Sequence, residues 1–119
     1  MRDYKKIVAY QLADELVISV YSITKKFPKD ELYGLTSQIR RASVSISANI
    51  VEGARRASKK EYLQFLYISQ ASLSEVEYYI HLACNLKYID ENEYSKLNDL
   101  CSRTFSKLYG LIESVRKEV

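Results

Sequence analysis

The stretch "SKKEYLQFLYISQASLSEVEYYIHLACN", residues 58–85, decides the class of fold. Within it Tyr62, Leu66, Ser69, Leu73, Val76, Ile80 and Ala83 succeed one another by alternating steps of four and three. That spacing lays side chains along one stripe of an α-helix, in the register of helices packed at shallow angles. The stretch opens with Ser58 and Glu61 three residues apart, the relation of a capping box that satisfies the first free N–H groups of a helix.

Upstream, Leu35, Ile39, Ala42, Ile46, Ile50 and Gly53 repeat the pattern and predict a second helix, with Thr36 or Asp30 as its N-cap. Before it, Ala9, Leu12, Leu16, Val20, Ile23 and Phe27 predict a first helix that Pro28 ends, since proline disfavours helical backbone in the residue before it. Downstream, Leu97, Cys101, Thr104, Leu108, Leu111 and Val115 predict a fourth, introduced by Asp90 and Glu93 in the same capping relation. No segment alternates like a strand and no repeat is present. Three Gly and one Pro leave little punctuation, so long elements joined by short turns are expected. Helices of roughly 20 to 28 residues are rods of about 30 to 40 Å. Short turns make consecutive rods antiparallel. The expected architecture is all-α, an up-down-up-down four-helix bundle forming a single domain over residues 1–119.

With 47% hydrophobic and 28% charged residues the composition is that of a folded soluble chain. No apolar run is long enough to span a bilayer, and "MRDYKKIVAYQ" at the start lacks the apolar block of a signal peptide. A cytoplasmic location without a membrane partner is expected. Cys84 and Cys101 form no disulfide framework and read as thiols, small buried hydrophobes.

The bundle topology converts a list of charges into a geometry. Both termini and the turn between the second and third helices fall at one pole, with Arg2, Lys5, Lys6, Arg55, Arg56, Lys59, Lys60, Arg116 and Lys117 against Asp3, Glu52, Glu61 and Glu118, a surplus of five. The opposite pole sets Lys25, Lys26, Lys29 and Lys87 against Asp30, Glu31, Asp90, Glu91 and Glu93, a deficit of one. A net charge of +3 thus hides a polarised molecule whose basic pole would attract phosphate backbones. The bland alternative is a solvated surface with no partner.

The cations of that pole continue into "QIRRASVSISANIVEGARRASKKE", residues 38–61. The candidate nucleic-acid-binding residues are Arg40, Arg41, Arg55, Arg56, Lys59 and Lys60. Arg56 is discounted by Glu52 four residues earlier, in the favourable order for an ion pair. Arg41 shares a stripe with Ser45 and Asn49 that suits a subunit contact. The small residues Ala42, Ser43, Ser45, Ser47 and Ala48 would let another helix approach closely, so the second helix is expected to face both its own bundle and a neighbour.

Catalytic and metal chemistries find little support. A di-iron bundle needs Glu-x-x-His on two helices, whereas this chain has one histidine, His81, with Glu77 four residues before it. A zinc site wants four N or S donors, and His81, Cys84 and Cys101 fall short. Helical ribonucleases of the HEPN type place an Arg four to six residues before a His, and Glu75 and Val76 stand in that place. No nucleophile elbow or Gly-rich phosphate loop occurs. Neither cofactor nor metal is expected. Of the eleven tyrosines, Tyr62, Tyr79 and Tyr109 fall at least partly on apolar faces, where burial with a hydroxyl at the rim explains them; stacking on single-stranded bases is the sharper alternative.

From Phe27 to Ile89 the residues carry a resemblance, in order and spacing: Phe27-Pro28, Tyr33-Gly34-Leu35, Gln38, Arg40-Arg41-Ala42, Ser45-Ile46, Asn49-Ile50, Glu52-Gly53, Arg56, Glu61, Phe65-Leu66, Ser72-Leu73, Glu75 and Glu77. The run resembles the four-helix-bundle proteins encoded in intervening sequences of bacterial 23S ribosomal RNA genes. Val51 departs from the Ala expected there. The resemblance implies a ring-like homopentamer without established enzymatic activity. It also implies kinship with the accessory variability determinant of diversity-generating retroelements, a basic pentamer that works with a reverse transcriptase. Five copies would carry five times +3. The expected function is a non-catalytic, oligomeric nucleic-acid-binding or accessory protein, meeting RNA or DNA phosphates without reading sequence, with a reverse transcriptase among the partners the resemblance implies. The alternative is a structural or protein-interaction module with no nucleic-acid role.

Overall fold

In the computed structural model, which describes residues 2–119, four helices carry the fold: α1 (Val8–Thr24), α2 (Leu35–Ala54), α3 (Lys59–Asn85) and α4 (Glu91–Arg116). Two single 3-10 turns, Tyr4–Lys6 and Lys29–Glu31, precede α1 and α2. Contacts run α1 to α2, α2 to α3, α3 to α4 and α4 back to α1, with none across either diagonal, so the helices stand in chain order around a square bundle. The 27 residues of α3 account for the long axis of a 44 × 25 × 20 Å molecule.

Every apolar position read for α2 and α3 is buried, and Leu16, Ile46, Ile50, Leu66, Leu73, Val76 and Leu108 are fully so. The first helix stops earlier than its stripe suggests. Thr24 turns its hydroxyl back to donate to the Val20 carbonyl at 2.7 Å, the chain leaves the helix, and Phe27 is buried from the loop against Tyr88, ring centroids 5.5 Å apart. The last helix buries Leu100 and Ile112 beside the expected positions, with Leu111 only half-buried.

Asp90 and Glu93 form the full capping box on α4. On α3 only half of it forms: Ser58 Oγ accepts from the Glu61 N–H at 3.1 Å, while the Glu61 carboxylate turns to the Ser58 hydroxyl rather than to its backbone. Neither Thr36 nor Asp30 caps α2. Gly34 holds the N-cap position, Thr36 is buried in the first turn, and Glu31 Oε1 reaches forward to accept the Leu35 N–H at 3.1 Å. The Tyr88 hydroxyl donates to the other oxygen of Glu31 at 2.7 Å, and these two donors hold its carboxyl below the usual value. One side chain therefore ties the start of α2 to the end of α3.

Most of the small residues of α2 serve a contact within the chain. Ala42, Ser43 and Ser47 are buried; Ser69 Oγ of α3 donates to the Ile46 carbonyl at 2.8 Å, and the Ser45 and Ser72 hydroxyls meet at 2.8 Å. At Gly53 the helices come so close that an added Cβ would lie 2.9 Å from Phe65 Cβ. Ala48 alone of that group is exposed.

Candidate nucleic-acid interface

The turn between α2 and α3 is four residues, Arg55 to Ser58, and two of them are arginines. It can be this short because Gly53 lets α3 start directly against α2. The Arg55 and Arg56 amides close the end of α2 on the Glu52 and Gly53 carbonyls, and Ser58 opens α3. Charge is thereby carried on rigid backbone.

The N-terminal segment packs onto this turn. The Arg2 guanidinium lies 4.3 Å from the centroid of the buried Tyr62 ring and donates Nη1 to the Ala54 and Arg56 carbonyls at 3.3 and 2.9 Å. Arg55 sits over Tyr4 at 5.5 Å. Arg56 covers Phe65 at 4.7 Å and pairs with Glu52 at 2.6 Å, the pair read from their spacing. Between Arg2, Arg55, Arg56 and Ala57 lies an open hollow of about 540 Å³.

Around it the charges sort into paired and unpaired. Lys59 is bound to Glu118, whose carboxyl that ammonium holds below its usual value. Arg116 pairs with Glu113 at 2.6 Å, a carboxylate that belongs to this pole and lowers its surplus from five to four. Among the described residues of the pole, Arg2, Lys5, Lys6, Arg55, Lys60 and Lys117 have no carboxylate partner.

The six candidate residues do not form one group. Arg55, Arg56, Lys59 and Lys60 are together at the pole. Arg40 and Arg41 are about 20 Å up α2 by its rise per residue. Arg40 is half-buried, donates Nε to Thr24 Oγ1 at 2.8 Å and stacks 4.8 Å from the Tyr21 ring, bracing α1 on α2 near the opposite pole. Arg41 is exposed and lines a polar hollow with Gln38, Ser45, Ser72 and Glu75. Arg2 entered the sequence reading only as one charge of the pole. Its fixed position depends on carbonyls 52 and 54 residues away, for which no local pattern exists.

The tyrosines divide as well. Tyr62 is buried and Tyr79 half-buried, but Tyr109 is 51% exposed and stacks on Phe105, and Tyr67 of α3 is exposed as well. The expected burial fails for Tyr109, whose ring points out of the bundle. Cys101 is buried, and desolvation pushes its thiol up to about 12. Cys84 is only half-buried; desolvation and the neighbouring Glu91 raise its thiol too, opposite to what a nucleophile needs.

With this geometry in hand, the chain matches the family described as 23S rRNA-intervening sequence protein over residues 5–110. The chain belongs to that family. The matched span holds all six candidate residues of this intervening-sequence protein and leaves Arg2 outside. A crystal structure of a protein with unknown function from the S23 ribosomal protein family, from Bacteroides thetaiotaomicron, superposes with a TM-score of 0.82 at 23% identity, covering 89% of this chain and 96% of that one. At that identity the likeness establishes the four-helix fold. No curated protein matches this intervening-sequence protein. Among its described residues no helix is long and apolar enough to cross a membrane.

Proposed function

We propose that this protein is a non-catalytic, oligomeric accessory protein that contacts the phosphate backbone of RNA or DNA through its basic pole, in the service of a reverse transcriptase. What supports the reading is the unpaired cationic surface that Lys5, Lys6, Arg55, Lys60 and Lys117 form where the termini meet the turn between α2 and α3. Phosphates neutralised by such a surface release counterions, so log affinity falls linearly with log salt, by about 0.7 to 0.9 per contact. Binding to RNA, duplex DNA and an RNA–DNA hybrid at several salt concentrations tests it. Replacing Arg55 and Lys60 by Gln weakens all three alike and flattens the slope. An unchanged affinity and slope in that variant removes the nucleic-acid role.

Assembly into a ring of five copies is the second part of the proposal. A ring needs two different faces per chain. The exposed side of α2, with Arg41, Val44 and Ala48, supplies one, and the aromatic side of the neighbouring α3 and the diagonally placed α4, with Tyr67, Phe105 and Tyr109, supplies the other. Light scattering is expected to give five times 13.8 kDa, and Ala48→Glu to reduce it. A monomer at micromolar concentration overturns this part. The same aromatic side is what favours the second reading, a protein-interaction module, and capture of no nucleic acid by an intact oligomer would select it.

A further inference from the structure

We propose that Arg2, Arg55 and Arg56 form a seat for a single dianionic phosphate group, the chemistry of the terminal phosphate of a nucleic-acid strand. The inference deepens the backbone-binding proposal and rests on it for the class of ligand. Three guanidinium groups line one hollow with Ala57, and among the described residues no carboxylate lines it. Glu52 offsets one of them through Arg56, while Glu118 makes its ion pair with Lys59 and acts on Arg2 only from longer range. Two positive charges therefore remain in one hollow. A bridging phosphodiester carries one negative charge, whereas a terminal phosphate monoester carries about 1.5 to 2 at neutral pH, so the charge count favours the end of a strand over its middle. Guanidinium is also the group whose planar fork donates to two phosphate oxygens at once.

The seat is preorganised. Arg2 is held by a ring face and two carbonyls through Nη1 alone, which leaves its other N–H groups free to donate. Arg56 stands on Phe65 and is tied to Glu52, and Arg55 lies over Tyr4 with its N–H groups unengaged. Side chains already fixed lose little rotamer freedom when a ligand arrives. The hollow of about 540 Å³ is open to solvent, so a phosphate can approach it with its sugar attached.

The test compares a short single-stranded oligonucleotide with a 5′-phosphate, a 3′-phosphate or hydroxyl at both ends, each labelled away from the tested end, at one fixed salt concentration. A phosphorylated end is expected to bind roughly tenfold tighter than the hydroxyl form, the strength of one good charge-assisted contact; which end gains identifies the source. Inorganic phosphate should erase the gain, and the gain should shrink below about pH 6, where the second proton returns. Arg55→Gln and Arg2→Lys, the latter keeping charge but losing the fork, should each abolish the gain while circular dichroism stays unchanged, whereas Lys60→Gln should lower affinity for all forms and keep it. Equal binding of hydroxyl and phosphate ends overturns the seat and leaves backbone binding standing. If no oligonucleotide binds, backbone binding falls, and the seat is then judged by titrating inorganic phosphate against the Arg2 and Arg55 side-chain NMR signals: unmoved signals overturn it too.

Discussion

Two glycines in one fold should answer the same substitution with opposite signs. Gly53 and Gly110 both lie inside helices, α2 and α4, where Ala is favoured over Gly by about 1 kcal/mol through backbone entropy. At Gly110 nothing lies within 4 Å of an added Cβ, so Gly110→Ala should realise that gain. At Gly53 the new carbon would meet Phe65 Cβ at 2.9 Å, Tyr62 Cδ1 at 3.0 Å and the Tyr62 carbonyl at 3.3 Å. Two of these three are backbone or the first atom of a side chain, which move only if α3 moves, and overpacking of that kind costs about 1 to 3 kcal/mol. Set against the propensity gain, Gly53→Ala is destabilising by up to about 2 kcal/mol. Each kcal/mol shifts the melting temperature of a chain of this size by about 3 to 6 °C. Thermal melts followed by circular dichroism should place the two variants about 5 to 15 °C apart, Gly110→Ala above the parent and Gly53→Ala below it. A Gly53→Ala protein as stable as Gly110→Ala would refute the close approach of α2 and α3, and with it the reason for the short arginine-bearing turn. Separating α2 from α3 should also loosen Arg2 from the Ala54 and Arg56 carbonyls.

Lys87 is the only described non-glycine residue with positive φ, 63°, at the end of α3, where the Tyr88 and Lys87 amides return to the Ala83 and Cys84 carbonyls. Lys87→Gly should therefore stabilise the protein by about 1 kcal/mol in urea melts, and a loss would contradict a left-handed cap there. Tyr88→Phe removes a donor that keeps the folded-state value of Glu31 low. A depressed carboxyl contributes stability above its unfolded value, near 4.5, and loses it as pH falls through the folded value, so the parent's advantage over Tyr88→Phe should be full at neutral pH and vanish in acid. Equal advantage at all pH values would mean that the hydroxyl acts by packing alone. Because the Cys101 thiol is buried and pushed up to about 12, iodoacetamide near neutral pH should label it only in denaturant, as mass spectrometry would show.

The four helices, their order and most of their inward positions were legible because apolar spacing is a local property: Leu66, Leu73, Val76 and Ile80 must share a face of any helix that contains them. The gathering of charge at one pole was legible too, since short turns force antiparallel order, and so was the pairing of Glu52 with Arg56 one turn later. Tertiary structure decided the rest, through contacts that no sequence separation announces. It chose Glu31 over Thr36 as the cap of α2 because Tyr88, 57 residues on, was there to hold it. It turned the small residues of α2 toward α3 of the same chain, left Tyr109 outside, and carried Arg40 away from the pole to brace α1. It also brought Arg2 onto Tyr62 and the end of α2, making it a wall of one hollow with the distant pair Arg55 and Arg56. Periodicity fixes which way a side chain faces along its own helix; which partner it meets there depends on how the other three are rotated and shifted, and that is set only when the whole core packs at once.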